Sequence, residues 1–476
     1  MSSTNDYDLV ILGGGSAAFA AIIEASERDL STAIVNAGLP IGGTCVNVGC
    51  VPSKHLLAVG DVAFEPPRNP FEAVRYSDGE PTRDWSTALD EKDRVVRNLR
   101  EQNYIDVAEH FDTAVFEGHG QFVDSTTIAV TDGPNQGVQI GGEKVLVATG
   151  SSPRAPPIDG IEDVTYETSE SILDRYDLPE SVLMVGGGYV GVEWSQILHH
   201  MGVDVTLLQR SVHVLSGMEE QLGSELQRCM HDEDIAVVTG VHIEQIGEAE
   251  DDVFVEASVG GESKRFTATD LFVATGVRPN TEGAGLEDID VETDEMGAVR
   301  VDDHFQTTNS DVYAAGDVIG DPMLESVAAK EGNHAVKNAF GNKGATIDYN
   351  AIPMVVFTSP EVATVGITEA EYMAQHGTCT CETVEMEDVP KAKAIEDTRG
   401  LVKVVKHHET DEIVGAQMVA PRAADMIPEA TLAVKFGLTV DDIIDTVHPF
   451  PTFSEAFKHA CQAFRRDTAT MSCCIE

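Results

Sequence analysis

The feature that most limits how this chain can fold is a unit that occurs twice. In residues 7–18 and again in residues 182–191, an apolar strand runs into a glycine-rich turn and then into a helix. The glycines permit a tight turn and let the backbone approach a pyrophosphate at the helix N-terminus. Two such units predict two dinucleotide sites, as electron transfer between a nicotinamide and a flavin requires. The residues expected to line them are Gly13, Gly15, Ala18, Gly186, Gly188 and Gly191.

The strand that follows each unit indicates how its dinucleotide is held. The first, residues 32–35, leads into Asn36, where a carboxylate usually binds ribose hydroxyls. Asparagine can still accept one such hydrogen bond. The second strand ends in Gln209 and Arg210. A neutral side chain beside a cation favours NADPH, because NAD sites usually carry a carboxylate at this point for the 2′-hydroxyl.

Between the two units, Cys45 and Cys50 lie in a glycine-rich stretch that leads into a helix. The positive end of the helix dipole and the nearby Lys54 both favour the thiolate form of a cysteine. The alternative is a structural disulfide or half of a zinc site, but no second cysteine pair with zinc spacing follows. Residues 85–108 then have the pattern of a charged amphipathic helix.

The sequence GGTCVNVGCVPSK at 42–54 resembles the redox-active disulfide motif of the pyridine nucleotide-disulfide oxidoreductases, and the resemblance extends along essentially the whole chain. It implies an α/β fold with two Rossmann-like dinucleotide-binding domains and an α+β C-terminal dimerisation domain. The implied boundaries are 1–150 and 281–347 for the FAD domain, 151–280 for the NADPH domain and 348–476 for the dimerisation domain. The further cofactor contacts that it implies are Gly43, Thr44, Lys54, Thr149, Gly150, Gly276, Gly316 and Asp317.

Two features near the C-terminus resemble the mercuric reductases within that family. Disulfide-reducing members carry a histidine where this chain has Phe450, and an aromatic ring cannot transfer protons. Mercuric reductases also lack this histidine, although they usually have tyrosine there. The chain ends with Cys473 and Cys474, two adjacent thiols that suit a soft cation such as Hg(II).

The resemblance implies that NADPH and FAD reduce Hg(II), supplied as a thiol complex, to elemental mercury. Cys45 and Cys50 are expected to bind the metal, with Cys50 next to the flavin and Cys45 exchanging. Cys473 and Cys474 are expected to deliver it, in a homodimer whose subunits share their active sites. Further catalytic candidates are Lys54 paired with Glu193, Tyr166 near the metal, and Phe450.

Two other functions remain as alternatives. One is a dihydrolipoyl dehydrogenase or glutathione-reductase-like disulfide reductase, which the missing histidine counts against. The other is a non-catalytic mercury-binding or redox-sensing flavoprotein. Two nucleotide sites count against the second alternative, because storage of a metal needs no NADPH.

The net charge of the chain excludes some classes of partner and indicates the salt concentration in which the protein works. The sequence has 81 acidic and 31 basic residues, a net charge of −50. Such a surface is repelled by nucleic acid and by anionic membranes. Dispersed acidic residues predict adaptation to high salt, where self-repulsion is screened. No signal-peptide pattern and no apolar run of membrane-spanning length are seen, so the predicted location is the cytoplasm.

Overall fold

The computed structural model describes residues 5–64, 70–71, 82–250, 252–342, 344–378 and 380–466. Its backbone divides into two units by the contacts within each. Unit 1 contains residues 1–55, 86–154 and 276–347, and unit 2 contains residues 56–85, 155–275 and 348–476. No helix of the described residues is both long and apolar enough to cross a bilayer.

Twenty-one strands and thirteen α-helices are described. The strands are β1 (Asn5–Leu12), β2 (Thr32–Asn36), β3 (Ala114–Glu117), β4 (Gly120–Asp124), β5 (Thr127–Val130), β6 (Gln139–Val147), β7 (Ser151–Pro153), β8 (Ser181–Val185), β9 (Asp204–Leu208), β10 (Ala236–Val238), β11 (Val241–Ala249), β12 (Asp252–Val259), β13 (Glu262–Ala268), β14 (Asp270–Val273), β15 (Val277–Pro279), β16 (Val312–Ala314), β17 (Met354–Val356), β18 (Glu361–Gly366), β19 (Cys381–Glu385), β20 (Leu401–Lys406) and β21 (Ile413–Ala420). The helices are α1 (Ser16–Ser26), α2 (Gly43–Asn47), α3 (Cys50–Phe64), α4 (Trp85–Arg100), α5 (Asp106–His110), α6 (Tyr189–His200), α7 (Glu220–Asp232), α8 (Glu325–Phe340), α9 (Glu369–His376), α10 (Pro390–Ile395), α11 (Ala423–Phe436), α12 (Val440–Asp445) and α13 (Glu455–Ala463).

The main sheet of unit 1 has the order β3-β2-β1-β6-β5-β4, and β16 also pairs with β6. Strand β1 pairs in parallel with β2 and with β6. Its side chains alternate between two buried clusters. Leu9 and Ile11 belong to the cluster that includes the apolar side of α1, while Val10 and Leu12 belong to the other. Burial on both faces explains why residues 9–12 of this strand are all apolar.

Unit 2 has three sheets that form two separate cores. The parallel sheet β10-β9-β8-β14 carries the second glycine turn after β8, and the antiparallel sheet β11-β12-β13 packs into the same hydrophobic cluster. The five-stranded sheet β17-β18-β21-β20-β19 has its own cluster, which includes apolar side chains of α11 and α13. Helices therefore bury their apolar sides against the five-stranded sheet, whereas the other cluster is formed where the two smaller sheets meet.

The predicted α/β class is confirmed, with parallel sheets after both glycine turns and an antiparallel sheet near the C-terminus. The boundaries at 150, 280 and 347 remain a proposal. Residues 348–476 belong to the same unit as 155–275, although each of these segments has its own core. The helix predicted over 85–108 is present, but a π-helical turn, Glu101–Ile105, lies between α4 and α5.

Candidate functional site

The first glycine turn leaves no room for a side chain at Gly13 or Gly14. Gly13 has a φ of +108°, and a Cβ there would lie 2.1 Å from the carbonyl oxygen of Ala148. A Cβ on Gly43 would lie 2.7 Å from Gly15 Cα, so the cysteine-bearing segment is in close contact with the turn. Gly15 caps α1 without a side chain, and the first turn of α1 has no acidic residue. Free backbone N–H groups at this helix N-terminus fit the pyrophosphate of a dinucleotide.

Asn36 lines a cavity of about 1180 Å³ in unit 1, beside the glycine turn. Its Nδ2 donates a hydrogen bond to the carbonyl oxygen of Leu39 at 2.9 Å. Its Oδ1 lies only 2.7 Å from where a Cβ on Gly14 would be. The side chain is therefore held next to the turn, where the sequence expects it to contact the ribose.

Asp317 lies at the start of a buried turn after β16, within the same unit. Its Oδ2 accepts a hydrogen bond from Ser151 Oγ at 2.6 Å. Burial raises the pKa of the Asp317 carboxyl, and the bond from Ser151 opposes that rise. Gly316 N donates to the buried carboxylate of Glu331 at 2.7 Å. Neither Ser151 nor Glu331 is predicted from the sequence: Ser151 is remote from Asp317 along the chain, and Glu331 lies in α8, beyond the turn.

A pair of reciprocal bonds fixes the crossover at Thr149. Thr149 Oγ1 donates to the carbonyl oxygen of Asn280 at 2.6 Å, and Asn280 Nδ2 donates to the carbonyl oxygen of Thr149 at 3.0 Å. Gly150 and Gly276 both have positive φ, 72° and 101°, where glycine is favoured. These predicted cofactor residues are thus parts of one braced crossover, where β7 pairs with β15.

Cys45 lies in α2, and Cys50 is the first residue of α3; both are thiols. The Cys45 thiol donates a hydrogen bond to the Cys50 sulfur. This bond lowers the pKa of Cys50, with the charge of Lys54 acting in the same direction and burial opposing it. The same bond raises the pKa of Cys45, as does burial. The reduced pair is therefore polarised, because Cys50 loses its proton more readily than Cys45.

The loop between the two cysteines is fixed by Asn47, which the sequence analysis did not single out. Asn47 Nδ2 donates to the carbonyl oxygens of Pro40 at 2.9 Å and Gly43 at 2.8 Å. Its Oδ1 accepts a hydrogen bond from Arg100 Nη1 at 3.0 Å. The buried amide thus connects the end of α2 to the residues at and before its start, and to the last residue of α4. This bracing holds the two sulfur atoms in one geometry.

Two groups from other parts of the chain are electrostatically linked to the cysteines: Glu325 acts on the thiols, and the thiols act on Tyr104. The charge of Glu325 raises the pKa of both thiols. One of its oxygens accepts a hydrogen bond from Ser16 Oγ at 3.1 Å. Tyr104, in the π-helical turn, packs edge-on against Phe19 with ring centroids 4.8 Å apart, and burial raises its pKa. A π-turn re-aims side chains within a helix, and no pattern in this sequence predicted it.

The second glycine turn repeats the first in unit 2. A Cβ on Gly186 would lie 2.3 Å from the carbonyl oxygen of Ala274, and one on Gly191 would lie 1.8 Å from that of Gly186. At Gly188 a Cβ would meet nothing within 4 Å. Gly188 caps α6 with no side-chain bond, and the first turn of α6 has no acidic residue. This turn therefore also fits a pyrophosphate, with the open position at Gly188.

Gln209 and Arg210 at the end of β9 have different surroundings. Gln209 is buried, and its Oε1 accepts a hydrogen bond from Gly187 N at 3.0 Å. The amide braces the glycine turn, so its contribution to coenzyme choice is the absence of a negative charge. Arg210 is exposed. The proposed contact with the 2′-phosphate therefore rests on Arg210.

Three other predicted residues lie in unit 2. The buried carboxylate of Glu193 accepts a hydrogen bond from Phe357 N at 2.9 Å, and its pairing with Lys54 in unit 1 remains a prediction. Tyr166 lines a cavity of about 220 Å³ whose walls are mostly acidic, and its predicted place near the metal is untested. Phe450 is 51% exposed.

The histidine nearest to Phe450 in sequence is engaged elsewhere. His448 Nε2 lies 2.8 Å from Glu429 Oε1, and its Nδ1 lies 2.9 Å from the carbonyl oxygen of Thr446. The bond with Glu429 raises the pKa of His448, and only 5% of the side chain is exposed. His448 is thus a buried partner of α11. The predicted metal ligands Cys473 and Cys474 lie outside the described residues.

Two family models match the chain. The model of the pyridine nucleotide-disulphide oxidoreductases matches residues 7–332, and that of their dimerisation domain matches residues 352–461. Together they cover most of the sequence.

The relatives carry two different names. The mercuric reductase of Streptomyces lividans is 38% identical over 474 residues, covering 98% of each protein. That of Lysinibacillus sphaericus is 36% identical over 470 residues, covering 99% of this chain and 85% of the relative. The dihydrolipoyl dehydrogenase of Bacillus subtilis is 33% identical over 473 residues, covering 96% and 98%.

The fold is also similar to a solved structure, the Cu(II) complex of the HOCl-induced flavoprotein disulfide reductase RclA from Escherichia coli. The two match with a TM-score of 0.85 at 25% identity, covering 97% of this chain and 100% of that chain.

Proposed function

The chain belongs to the pyridine nucleotide-disulphide oxidoreductase family, and from this we propose that it reduces Hg(II) to elemental mercury. It is an FAD-dependent oxidoreductase that takes its electrons from NADPH. Its dimerisation domain indicates a homodimer. The overall reaction would be Hg(II) plus NADPH giving Hg(0), NADP⁺ and a proton.

The observation that carries the proposal is the polarised thiol pair together with Phe450. A thiolate at Cys50 beside a thiol at Cys45 offers a soft cation two sulfur ligands in one place. Reduction of an organic disulfide additionally needs a group that transfers protons at the exchanging sulfur. Family resemblance assigns that position to Phe450, whose ring cannot transfer a proton. The pair therefore suits a metal better than it suits lipoamide or glutathione disulfide.

The steps assigned to this chain's residues can be balanced. When bound, FAD relays two electrons from NADPH to the cysteine pair. The Cys45–Cys50 disulfide opens to a thiol and a thiolate, and Lys54 stabilises the charge on Cys50. Hg(II) binds to Cys50 and displaces the proton of Cys45, so that both sulfurs become ligands. Hg(II) then takes up two electrons derived from a second NADPH and leaves as Hg(0), so that both cysteines remain reduced as thiolates.

We assign delivery of the metal to Cys473 and Cys474. Thiolates exchange on Hg(II) through a three-coordinate state, so two tail sulfurs can pass the ion to two active-site sulfurs without releasing it. Family resemblance puts the receiving pair on the other subunit. Serine in place of both tail cysteines should reduce turnover when excess dithiol competes for mercury. Full activity of that variant under competition would contradict the relay.

One assay separates the proposal from its rivals. The oxidation of NADPH is followed anaerobically with Hg(II) and excess thiol, with lipoamide, and with glutathione disulfide. Volatile mercury released in step with NADPH loss supports the proposal, and Cys45→Ser should abolish it. Faster turnover of either disulfide supports the disulfide-reductase alternative. Stoichiometric mercury binding without turnover supports the non-catalytic one.

A further inference from the structure

Three histidines meet at one place in unit 2, away from the cysteine pair in the sequence. His376 is the last residue of α9, and His407 and His408 directly follow β20. One ligand nitrogen from each lies within 4.8 Å of the other two. We propose that these three side chains, here called the histidine cluster, form a binding site for a borderline divalent transition-metal cation such as Zn(II).

The chemistry of the cluster selects this class of ion. Imidazole nitrogen is a good ligand for Zn(II), Cu(II) and Ni(II), whereas Mg(II) and Ca(II) prefer oxygen. Zinc sites with three protein nitrogens leave a fourth position for water or another ligand. Metal–nitrogen distances are ~2.0–2.1 Å, so the three nitrogens must move closer by small rotations of exposed side chains. His376 and His408 are exposed, and His407 is half-buried.

A buried phenol orients two of the three rings. Tyr372 is 1% exposed, and its ring stacks on His376 with centroids 4.4 Å apart. Its hydroxyl oxygen lies 2.6 Å from His408 Nδ1 and accepts a hydrogen bond from His408 N at 2.9 Å. This arrangement leaves His408 Nε2, which lies 3.9 Å from Glu409 Oε1, as the nitrogen that would bind the ion. A hydrogen-bond partner on the other ring nitrogen is what metal-binding histidines usually have.

The third ring must rearrange on binding. His407 Nδ1 accepts hydrogen bonds from the backbone N–H groups of Glu409 and Thr410 at 3.2 and 3.3 Å. Coordination through Nε2 requires the proton of the neutral ring to be on Nδ1. These two long bonds are therefore given up when the ion binds. The backbone itself is held, because His407 N donates to the carbonyl oxygen of Glu412 at 2.7 Å.

The cluster also connects two elements that are distant in the sequence. His376 is the last residue of α9, which precedes β19 in the sequence. His407 and His408 begin the turn between β20 and β21. An ion bound by all three would cross-link the end of α9 to that turn. Binding should therefore raise the thermal stability of the folded chain, because the unfolded chain does not present the three rings together.

The test uses the full FAD-loaded chain with Cys45, Cys50, Cys473 and Cys474 changed to serine, so that these thiols do not compete. ZnCl₂ is titrated against a chromophoric chelator, and CoCl₂ is titrated with absorption recorded. We expect one ion per chain, a tetrahedral cobalt band without sulfur-to-cobalt charge transfer, and a higher melting temperature with zinc.

Variants distinguish the histidine cluster from other sites. His376→Ala and His408→Ala should each weaken zinc binding by at least ~10-fold, because outer partners alone typically contribute 10–100-fold. Tyr372→Phe keeps the stacked ring and removes the hydroxyl, so it should weaken binding by ~10-fold while the melting temperature without zinc stays close to that of the parent. His242→Ala, an exposed histidine in the same unit, is the control.

The proposal is overturned by any of three results. These are the absence of saturable binding near one ion per chain, equal losses in His376→Ala and His242→Ala, and a charge-transfer band showing that sulfur holds the cobalt. If His376→Ala fails to fold, His408→Ala and Tyr372→Phe decide the question, since His408 lies in a turn and Tyr372→Phe preserves the ring.

Discussion

The thiol of Cys45 donates a hydrogen bond to the sulfur of Cys50, and this contact moves the pKa values of the two groups apart. Cys50 is thereby the more acidic of the two thiols, and Cys45 is the one that keeps its proton more strongly. Lys54 supports the charge, and Glu325 opposes it. The reactivity of the pair therefore depends on a balance between two charged side chains, and this balance can be measured.

Removing the negative charge of Glu325 should make the thiols more acidic. Because Glu325 raises the pKa of both cysteines, Glu325→Gln should lower the pKa of Cys50. The rate of alkylation by iodoacetamide, measured on the NADPH-reduced enzyme, falls as pH drops through that pKa, and in the variant it should fall at a lower pH. Glu295→Gln, an exposed charge in the same unit, is the control. An unchanged profile would show that Glu325 does not act on the pair.

A histidine in place of Phe450 should create disulfide reductase activity. General acid–base catalysis typically contributes ~10²–10⁴-fold, so Phe450→His should raise lipoamide or glutathione disulfide turnover by a measurable part of that range. Phe450→Leu removes the ring without adding a proton carrier and should raise neither. High wild-type activity on either disulfide would refute the role given to this position.

Arg210 should decide the preference for NADPH. A hydrogen bond to a charged group is worth about 1.5–3 kcal/mol, so Arg210→Ala should raise the KM for NADPH by ~10–100-fold and change that for NADH little. Adding Gln209→Glu should move the preference further towards NADH, since a carboxylate can still accept the bond from Gly187 N. Arg265→Ala, another exposed arginine of unit 2, is the control. A wild-type enzyme that prefers NADH would contradict this interpretation.

His200 should stabilise unit 2 more at acidic than at alkaline pH. It is 1% exposed, and its nitrogens lie 3.4 Å from Asp61 and 3.2 Å from Glu233. Burial lowers its pKa, but the two carboxylates outweigh burial and the net pKa is raised. The stabilisation is therefore fully present below the unfolded pKa, ~6.5, and is lost as pH rises through the folded value.

The measurement is the difference in melting temperature between wild type and His200→Gln. This difference should be largest below pH ~6.5 and should shrink as pH rises. His242→Gln, at an exposed position, should show no such trend. A difference that grows with pH would mean that His200 is neutral in the folded protein.

Salt should stabilise the folded chain over an unusually wide range. With a net charge of −50, self-repulsion is large at low ionic strength. The Debye length is about 3 Å at ~1 M, so simple screening is nearly complete there. We expect the melting temperature to continue rising in multimolar KCl, as adaptation to salt requires. A flat or falling melting temperature would contradict that adaptation.

The sequence by itself determined the two nucleotide turns, the cysteine pair and the α/β class. The physical reason is that these features are local. Gly13 and Gly186 are required because a Cβ would meet a backbone oxygen at 2.1 or 2.3 Å, and both glycines sit in contiguous strand–turn–helix segments. The cysteines likewise lie in one short stretch that forms its own two helices. Such requirements depend only on residues that are neighbours in the sequence, so they can be recognised before the tertiary structure is known.

Only the tertiary structure decided which distant groups act on these local features. Glu325 follows Cys50 by hundreds of residues, and two strands and a helix separate His376 from His407, so no spacing reveals either relationship. The amide of Gln209 faces the glycine turn rather than solvent, and the ring of His448 faces Glu429. These outcomes depend on how sheets and helices pack, because burial and hydrogen bonding between remote segments set the orientation and the charge of each side chain.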